Sequence, residues 1–333
     1  MNESPLTRTL VIAASVIVIL AGLKVAQPIV VPVLVAFFLA VLTSPAISFL
    51  VRFKIPAGIA IAIVVVSLFG FFYALGTLVA TSTDQFIERL PDYQNRIQSW
   101  LVTIQNKAPW LVDDAKERMA NLQPTQSALS LLGSLFSGLG SVLTAMVLIV
   151  FTLIFALLEG QNATKKARIA LDDNTIQYIK RFSKLVQRYL LVKSLISLAT
   201  GFLVGLMLWI IDVDYPFLWG TFAFLMNYIP NIGSLLAAIP PVILASIQHA
   251  LPGFLITGSG FIAINMIVGN LIEPRMMGKS LDISPLVVFL SLIFWGWIFG
   301  PIGMLLSIPL TVVVKIGLEV YPKTKWLAQI ISQ

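Results

Sequence analysis

The sequence contains no cysteine and a single histidine, His249. Disulfides, thiolate metal sites and a cysteine nucleophile are therefore excluded. The lone imidazole, set in His249-Ala250-Leu251-Pro252-Gly253, reads as a loop residue. Charge is also scarce. Only 11% of residues are Asp, Glu, Lys or Arg, against about 25% in soluble domains. What takes their place is apolar: 58% of the 333 residues, with a mean hydropathy of +0.94. A soluble fold would leave much of that surface in water, so the chain reads as a polytopic membrane protein. Its net charge of +7 then belongs to loops beside an anionic leaflet rather than to nucleic-acid binding.

Several motifs are missing as well. Neither His-Glu-x-x-His nor Gly-x-Ser-x-Gly occurs, so an intramembrane hydrolase lacks its usual parts. Gly278-Lys279-Ser280 looks like the end of a phosphate-binding loop, but Glu273 stands where its first glycine is required. No enzyme activity, cofactor or metal is expected. Any transport would be passive or driven by an ion gradient.

A helix needs about 20 apolar residues to cross a bilayer core. Stretches of that kind run over 9–25, 29–51, 57–81, 139–158, 190–211 and 254–272. The N-terminal one has no clear cleavage site after it and reads as an uncleaved first helix. Two further blocks, 216–247 and 283–317, are too long for one helix and carry a break near the middle. The expected fold is an all-α polytopic membrane protein of about eight hydrophobic segments. Two of these are broken or re-entrant helical hairpins of opposite orientation, and an amphipathic helical insert lies on the outer face. In that insert Phe86, Leu90, Tyr93, Ile97, Trp100 and Ile104 recur at helical spacing, and Pro109 and Pro124 punctuate two shorter helices after them. Ile176, Ile179, Phe182, Val186 and Tyr189 form a second stripe, beside Lys180, Lys184 and Arg188, and predict a basic helix on the membrane surface. Gly201-x-x-x-Gly205 predicts a close helix contact.

The expected organisation has five parts. Residues 1–82 hold membrane helices 1–3, and 83–138 the outer insert. Residues 139–211 hold helices 4–5 with the basic cytoplasmic helix. A transport unit occupies 212–320 and a cytoplasmic tail 321–333. Lys and Arg favour cytoplasmic loops. Arg52, Lys54, the basic residues from Lys165 to Arg188, Arg275, Lys279, Lys323 and Lys325 then lie inside. Both termini are then expected to be cytoplasmic. The turn Asp212–Asp214 and the His249 loop fall outside.

The two breaks are related in sequence. Ile232-Gly233-Ser234-Leu235-Leu236 and Ile302-Gly303-Met304-Leu305-Leu306 each come just after one: Asn227-Tyr228-Ile229-Pro230-Asn231 in the first case, Gly296 to Pro301 in the second. Pro and Gly interrupt helices. Non-helical backbone at membrane depth survives only against protein or a wet cavity. Paired broken segments point to a transporter's solute site, with half-helix N-termini aimed at it.

The stretches NYIPNIGSLLAAIP, GNLIEPRMMGKSLDISPLVVFLSLIFWGWIFGPIGMLLSIPL and VLVAFFLAVLTSPAISFLVRFKIP resemble the autoinducer-2 exporter (AI-2E) family of bacterial membrane proteins. The resemblance covers nearly the whole chain. Phe53-Lys54 replaces the more usual Arg-Gly before Ile55-Pro56. The resemblance implies a secondary transporter of the bacterial inner membrane exporting the quorum-sensing signal autoinducer-2, or alternatively a Na+(Li+)/H+ antiporter, assembled as a homo-oligomer, a pentamer. A non-transporting membrane scaffold is the reading from a different class. The expected partners are a small polar solute, H+ or Na+, membrane lipids and further copies of the chain.

Candidate solute-binding residues are Asn227, Tyr228, Pro230, Asn231, Gly233, Trp297, Gly300, Pro301 and Gly303. A carboxamide offers both a donor and acceptors to a polyhydroxy solute. Tyr228, Trp295 and Trp297 offer rings to stack on or anchors at the interface. Asn265, Asn270 and Glu273 are the ion-coupling candidates, because polar groups inside spans are costly.

Overall fold

The computed structural model describes residues 5–107, 146–160, 173–230, 232–277, 283–320 and 324–332. Among them the chain is helical throughout, joined by short turns. Among the described residues five helices are long and apolar enough to cross a membrane, and three shorter apolar ones accompany them. Large apolar side chains such as Ile29, Phe37, Phe155, Phe202 and Trp209 stand outward. In a chain of this composition that is the lipid-facing surface. The protein is an all-α polytopic membrane protein.

In order, α1 is Pro5–Val25, α2 Gln27–Arg52, α3 Ala57–Lys107, α4 Met146–Gly160, α5 Asp173–Ile210, α6 Pro216–Met226 and α7 Gly233–Ile264. A π-helical stretch, Asn265–Ile272, leads into α8, Glu273–Met277. Then come α9, Pro285–Leu305, α10, Ser307–Val320, and α11, Lys325–Ile331.

Two predicted divisions are absent. The third span and the amphipathic helix are one helix, α3, of 51 residues, which continues through Pro91. The apolar stripe continues along the same helix as the span. Phe86, Leu90, Tyr93 and Ile97 turn inward while Gln85, Glu88, Arg89 and Asp92 are exposed. Similarly, the basic helix is the first half of α5, not a separate surface helix. Ile176, Val186 and Tyr189 are buried there and Lys180, Lys184 and Arg188 exposed. In both cases no Gly or Pro cluster separates the two patterns, so the helix propagates through. The stretch around Pro109 and Pro124 and residues 165–168 lie outside the described residues.

The chain clusters into two compact units. One comprises Met1–Val65, Ala145–Lys193 and Met277–Gln333. Its core joins Phe38, Val186, Tyr189, Ile298, Phe299, Ile308 and Leu310. Pro45 cannot donate to Val41, four residues back in α2. The freed Val41 carbonyl accepts instead from Ser44 Oγ at 3.1 Å and Gln187 Nε2 at 3.4 Å. Such repair is what a helix needs where water is absent.

The other unit comprises Val66–Thr144 and Ser194–Met276. Val204, Leu208, Trp219, Ala223, Ala237, Leu244 and Phe261 fill its core. The predicted glycine contact is there. A Cβ on Gly201 would stand 2.7 Å from the Gly220 carbonyl and from Phe224 Cβ, and Gly205 lies against Pro216 and Gly220. Backbone thus meets backbone where α5 crosses α6.

Both long apolar blocks are broken. The first divides at residues 227–232 between α6 and α7. The second divides at Gly300 within α9 and again at Leu306. A further kink interrupts α7 at Ala250. Gly300 (φ 65°, ψ −151°) and Ala250 (φ 62°, ψ −153°) share one conformation. Three residues after each comes a glycine, Gly303 or Gly253. An added Cβ there would strike the carbonyl eight residues back, on Trp295 or Ala245. The same turn is therefore built twice, once in each unit. The sequence match pairs Gly233 with Gly303, whereas the backbone pairs Gly253 with Gly303. Gly233 closes a related turn against the Met226 carbonyl.

Candidate functional site

α6 and α7 form a hairpin whose ends differ in polarity. At the open, charged end Asp214 accepts from Arg89 Nη1 at 2.9 Å and from Tyr93 Oη at 2.7 Å. Its backbone N–H donates to Gln248 Oε1, and its carbonyl accepts from Trp219 Nε1. Tyr215 Oη donates to the Gln85 carbonyl, Arg96 Nη1 to the Gln248 carbonyl, and His249 Nε2 lies 3.0 Å from the Asp212 carbonyl. The Asp214 carboxylate holds the exposed Arg89 guanidinium above its usual range. Burial, then the bond to Asp214, pushes the Tyr93 hydroxyl well above its usual range. Together these bonds fix the amphipathic part of α3 to the hairpin's base.

The other end is the turn after Met226. Pro230 and Ile229 are buried, and Asn227 is only 7% exposed. Asn227 Nδ2 donates to Ser197 Oγ at 3.0 Å, and Tyr228 Oη donates to Ser194 Oγ at 2.8 Å. Ser197 sits at the middle of the long apolar span Ser183–Ile210. It lies about 20 Å along the axis from Ile210. The 11 residues of α6 cover only about 16 Å. The turn thus lies level with the middle of a neighbouring span.

Beside it is a small cavity lined by Thr200, Asn227, Ser234, Asn265 and the apolar Val204, Ala223, Ala237, Phe261, Ile264 and Val268, with Gly269. It has room for about one water molecule. Ser234 stands in the first turn of α7, which has no side-chain cap, so the positive helix end is close by. Asn265 opens the π-helical stretch, a form that is rare except at functional sites.

The structure thus brings together Asn227, a solute candidate, and Asn265, an ion-coupling candidate. Asn270 and the half-buried Glu273 do not line the cavity. Asn231 lies outside the described residues. Trp297, Gly300, Pro301 and Gly303 belong to the other unit. There Trp297 is 54% exposed, with Lys24 Nζ 4.3 Å from its ring centroid. Trp295 stacks on Phe299 and donates to Thr311 Oγ1. Gly300 and the exposed Pro301 form the turn, with Gln27 next to Gly300.

Thr200 and Ser234 were not evident from the sequence, because isolated hydroxyls are common in membrane helices. Two lysines were also missed: Lys193 in α5, 4% exposed, and Lys315 in α10, 6% exposed. A lone Lys inside an apolar run was the available signal. Among the described residues no group of three His, Cys, Asp or Glu side chains could hold a metal.

Residues 13–323 match the model of the AI-2E family transporter. The AI-2 transport protein TqsA of Escherichia coli K12 is 36% identical over 315 residues, covering 94% of this chain and 92% of the relative. The candidate transport protein YhhT of the same strain is 38% identical over 309 residues, 92% and 88% of the two chains. A protein from Haemophilus influenzae, likewise named as a candidate transport protein, is 38% identical over 335 residues, 97% and 95%.

Proposed function

Because the chain belongs to the AI-2E transporter family, we propose that it is a secondary transporter exporting a small polar metabolite, with the Asn227 cavity as its solute site. Autoinducer-2 is the first solute to test, since a relative 36% identical is named for its transport. The observation that carries the reading is the placement of Asn227. Its Nδ2 is held by Ser197 at mid-span, leaving Oδ1 to accept from a solute hydroxyl. The Ser234 hydroxyl supplies a donor, and the positive end of α7 favours a solute oxygen. The α6–α7 hairpin is read as re-entrant, because α6 is half the length of a span.

The cavity admits only a water-sized guest in this state, so the hairpin or the π-helical stretch moves to admit a solute. The location is the bacterial inner membrane, with both termini cytoplasmic, and the assembly is a homo-oligomer, a pentamer. Release of preloaded autoinducer-2 from proteoliposomes, with and without a proton gradient, tests the reading. Asn227→Ala is expected to slow release at least tenfold while the protein stays assembled. Wild-type release at the rate of empty liposomes would reject the exporter. Gradient-driven Na+/H+ exchange in the same vesicles would favour the antiporter.

A further inference from the structure

The last helix, α11, has one face used and one face bare. Ala328 is buried, and Ile331 packs against the core that holds Phe38, Ile298 and Ile308. Trp326 and Ile330 are instead 58% and 65% exposed. At about 100° per residue these two stand one above the other, while Ala328 lies about 200° round the helix from Trp326. The bare stripe therefore points away from the protein. We infer that this stripe is a membrane-surface contact. Trp326 and Ile330 enter the boundary between the headgroups and acyl chains of a phospholipid bilayer, and Lys325 meets the phosphates.

Three observations single out lipid as the occupant. The first is level. The Ser284 N–H donates to the Ile331 carbonyl at 3.1 Å, and Ser284 immediately precedes the span Pro285–Leu305. The end of α11 is thus fixed where a membrane-crossing helix begins. The second is continuity. The outward stripe of that span starts at once, with exposed Leu286, Phe289, Leu290 and Ile293. These side chains are lipid-facing, and α11 adds its own apolar stripe at their end. The third is composition. Residues 321–333 contain Lys323 and Lys325 but no Asp or Glu. A Trp ring beside a Lys ammonium suits the headgroup region, where one end of a side chain is wet and the other apolar.

A helix of seven residues would not hold its shape alone in water. Here both ends are pinned, because Thr324 Oγ1 also donates to the Leu318 carbonyl at 2.8 Å. The stripe is presented ready-formed, so contact with lipid costs little further ordering. Through the Ser284 bond the bilayer then braces the first turn of α9.

The test uses the full-length protein with a single cysteine, Ile330→Cys or Trp326→Cys, in a chain that has no other. Each is spin-labelled and reconstituted in vesicles of phosphatidylethanolamine and phosphatidylglycerol. Power saturation compares collisions with oxygen, which concentrates in lipid, and with a water-soluble nickel chelate. Oxygen is expected to dominate at both positions, at a depth of about 5–10 Å below the phosphates. A label at exposed Asp92, far along α3, is expected to show the reverse. Nickel-dominated collisions at 326 and 330 would place the stripe in water and overturn the inference. Few collisions with either agent, together with dipolar broadening between labels, would place a second copy of the chain on it and overturn it equally. The two labels read one face independently, so a variant that fails to fold leaves the other. Should both fail, quenching by brominated lipid decides. Wild-type fluorescence is expected to lose a share that Trp326→Phe does not, and equal quenching of the two proteins would overturn the inference.

Discussion

Ala250 shows how much a single residue can cost. At φ 62° and ψ −153° a Cβ is strained by about 1–3 kcal/mol, yet an alanine holds this place where the matching turn has Gly300. Ala250→Gly is expected to raise the unfolding midpoint in detergent by a few degrees, and Gly300→Ala to lower it. Gly303→Ala is expected to be worse than either, because its Cβ meets the Trp295 carbonyl and that backbone cannot yield. Differential scanning fluorimetry of the three variants ranks them. The glycine requirement was legible as a Pro/Gly break in both blocks. The true equivalence of the turns was not, since Ala250 shares no residue type with Gly300 and only the dihedral angles reveal it. Asn227 and Asn265 were legible as costly polar groups. Their convergence on one cavity depends on the packing of α5, α6 and α7, which no local pattern encodes.

At the scale of elements, apolar periodicity located nearly every helix but not where helices fuse. The stripe in α3 and the stripe in α5 were read correctly, while the divisions placed before the one and after the other were not. A change from amphipathic to wholly apolar pattern reflects a change of surroundings, not of backbone. The extension of α3 is fixed by Arg89 and Tyr93 on Asp214. Tyr93→Phe with Asp214→Ala removes both of these anchors and leaves the Phe86 and Tyr215 ring contact in place. Hydrogen exchange over residues 84–99 is expected to quicken about tenfold in that double variant, with exchange in α9 unchanged. Equal exchange in both proteins would show that the apolar stripe, with the Tyr215–Gln85 and Arg96–Gln248 bonds, holds the extension without Asp214.

For the whole molecule, composition alone established a polytopic membrane protein. Its orientation rests on the distribution of Lys and Arg. The absence of native cysteine makes that directly testable. Single cysteines at exposed Lys180 and Arg52 are expected to be protected from an impermeant maleimide in intact cells, and one at exposed Arg89 to be labelled. The reverse pattern would invert the topology. A cysteine at Asn227 is expected to label slowly at most, since a carboxamide 7% exposed beside a water-sized cavity offers little access to a bulky reagent.

The length of α3 has a mechanical consequence. Its 51 residues make a rod of about 76 Å, more than twice the roughly 30 Å of a hydrocarbon core. Some 40 Å of it must project past the lipid, and each 10° of tilt at the membrane then swings the tip by about 7 Å. The rod grips the base of the α6–α7 hairpin part-way along its length, so a load applied at the tip reaches the hairpin with leverage. Whatever docks on the far end of this helix holds a handle on the solute site.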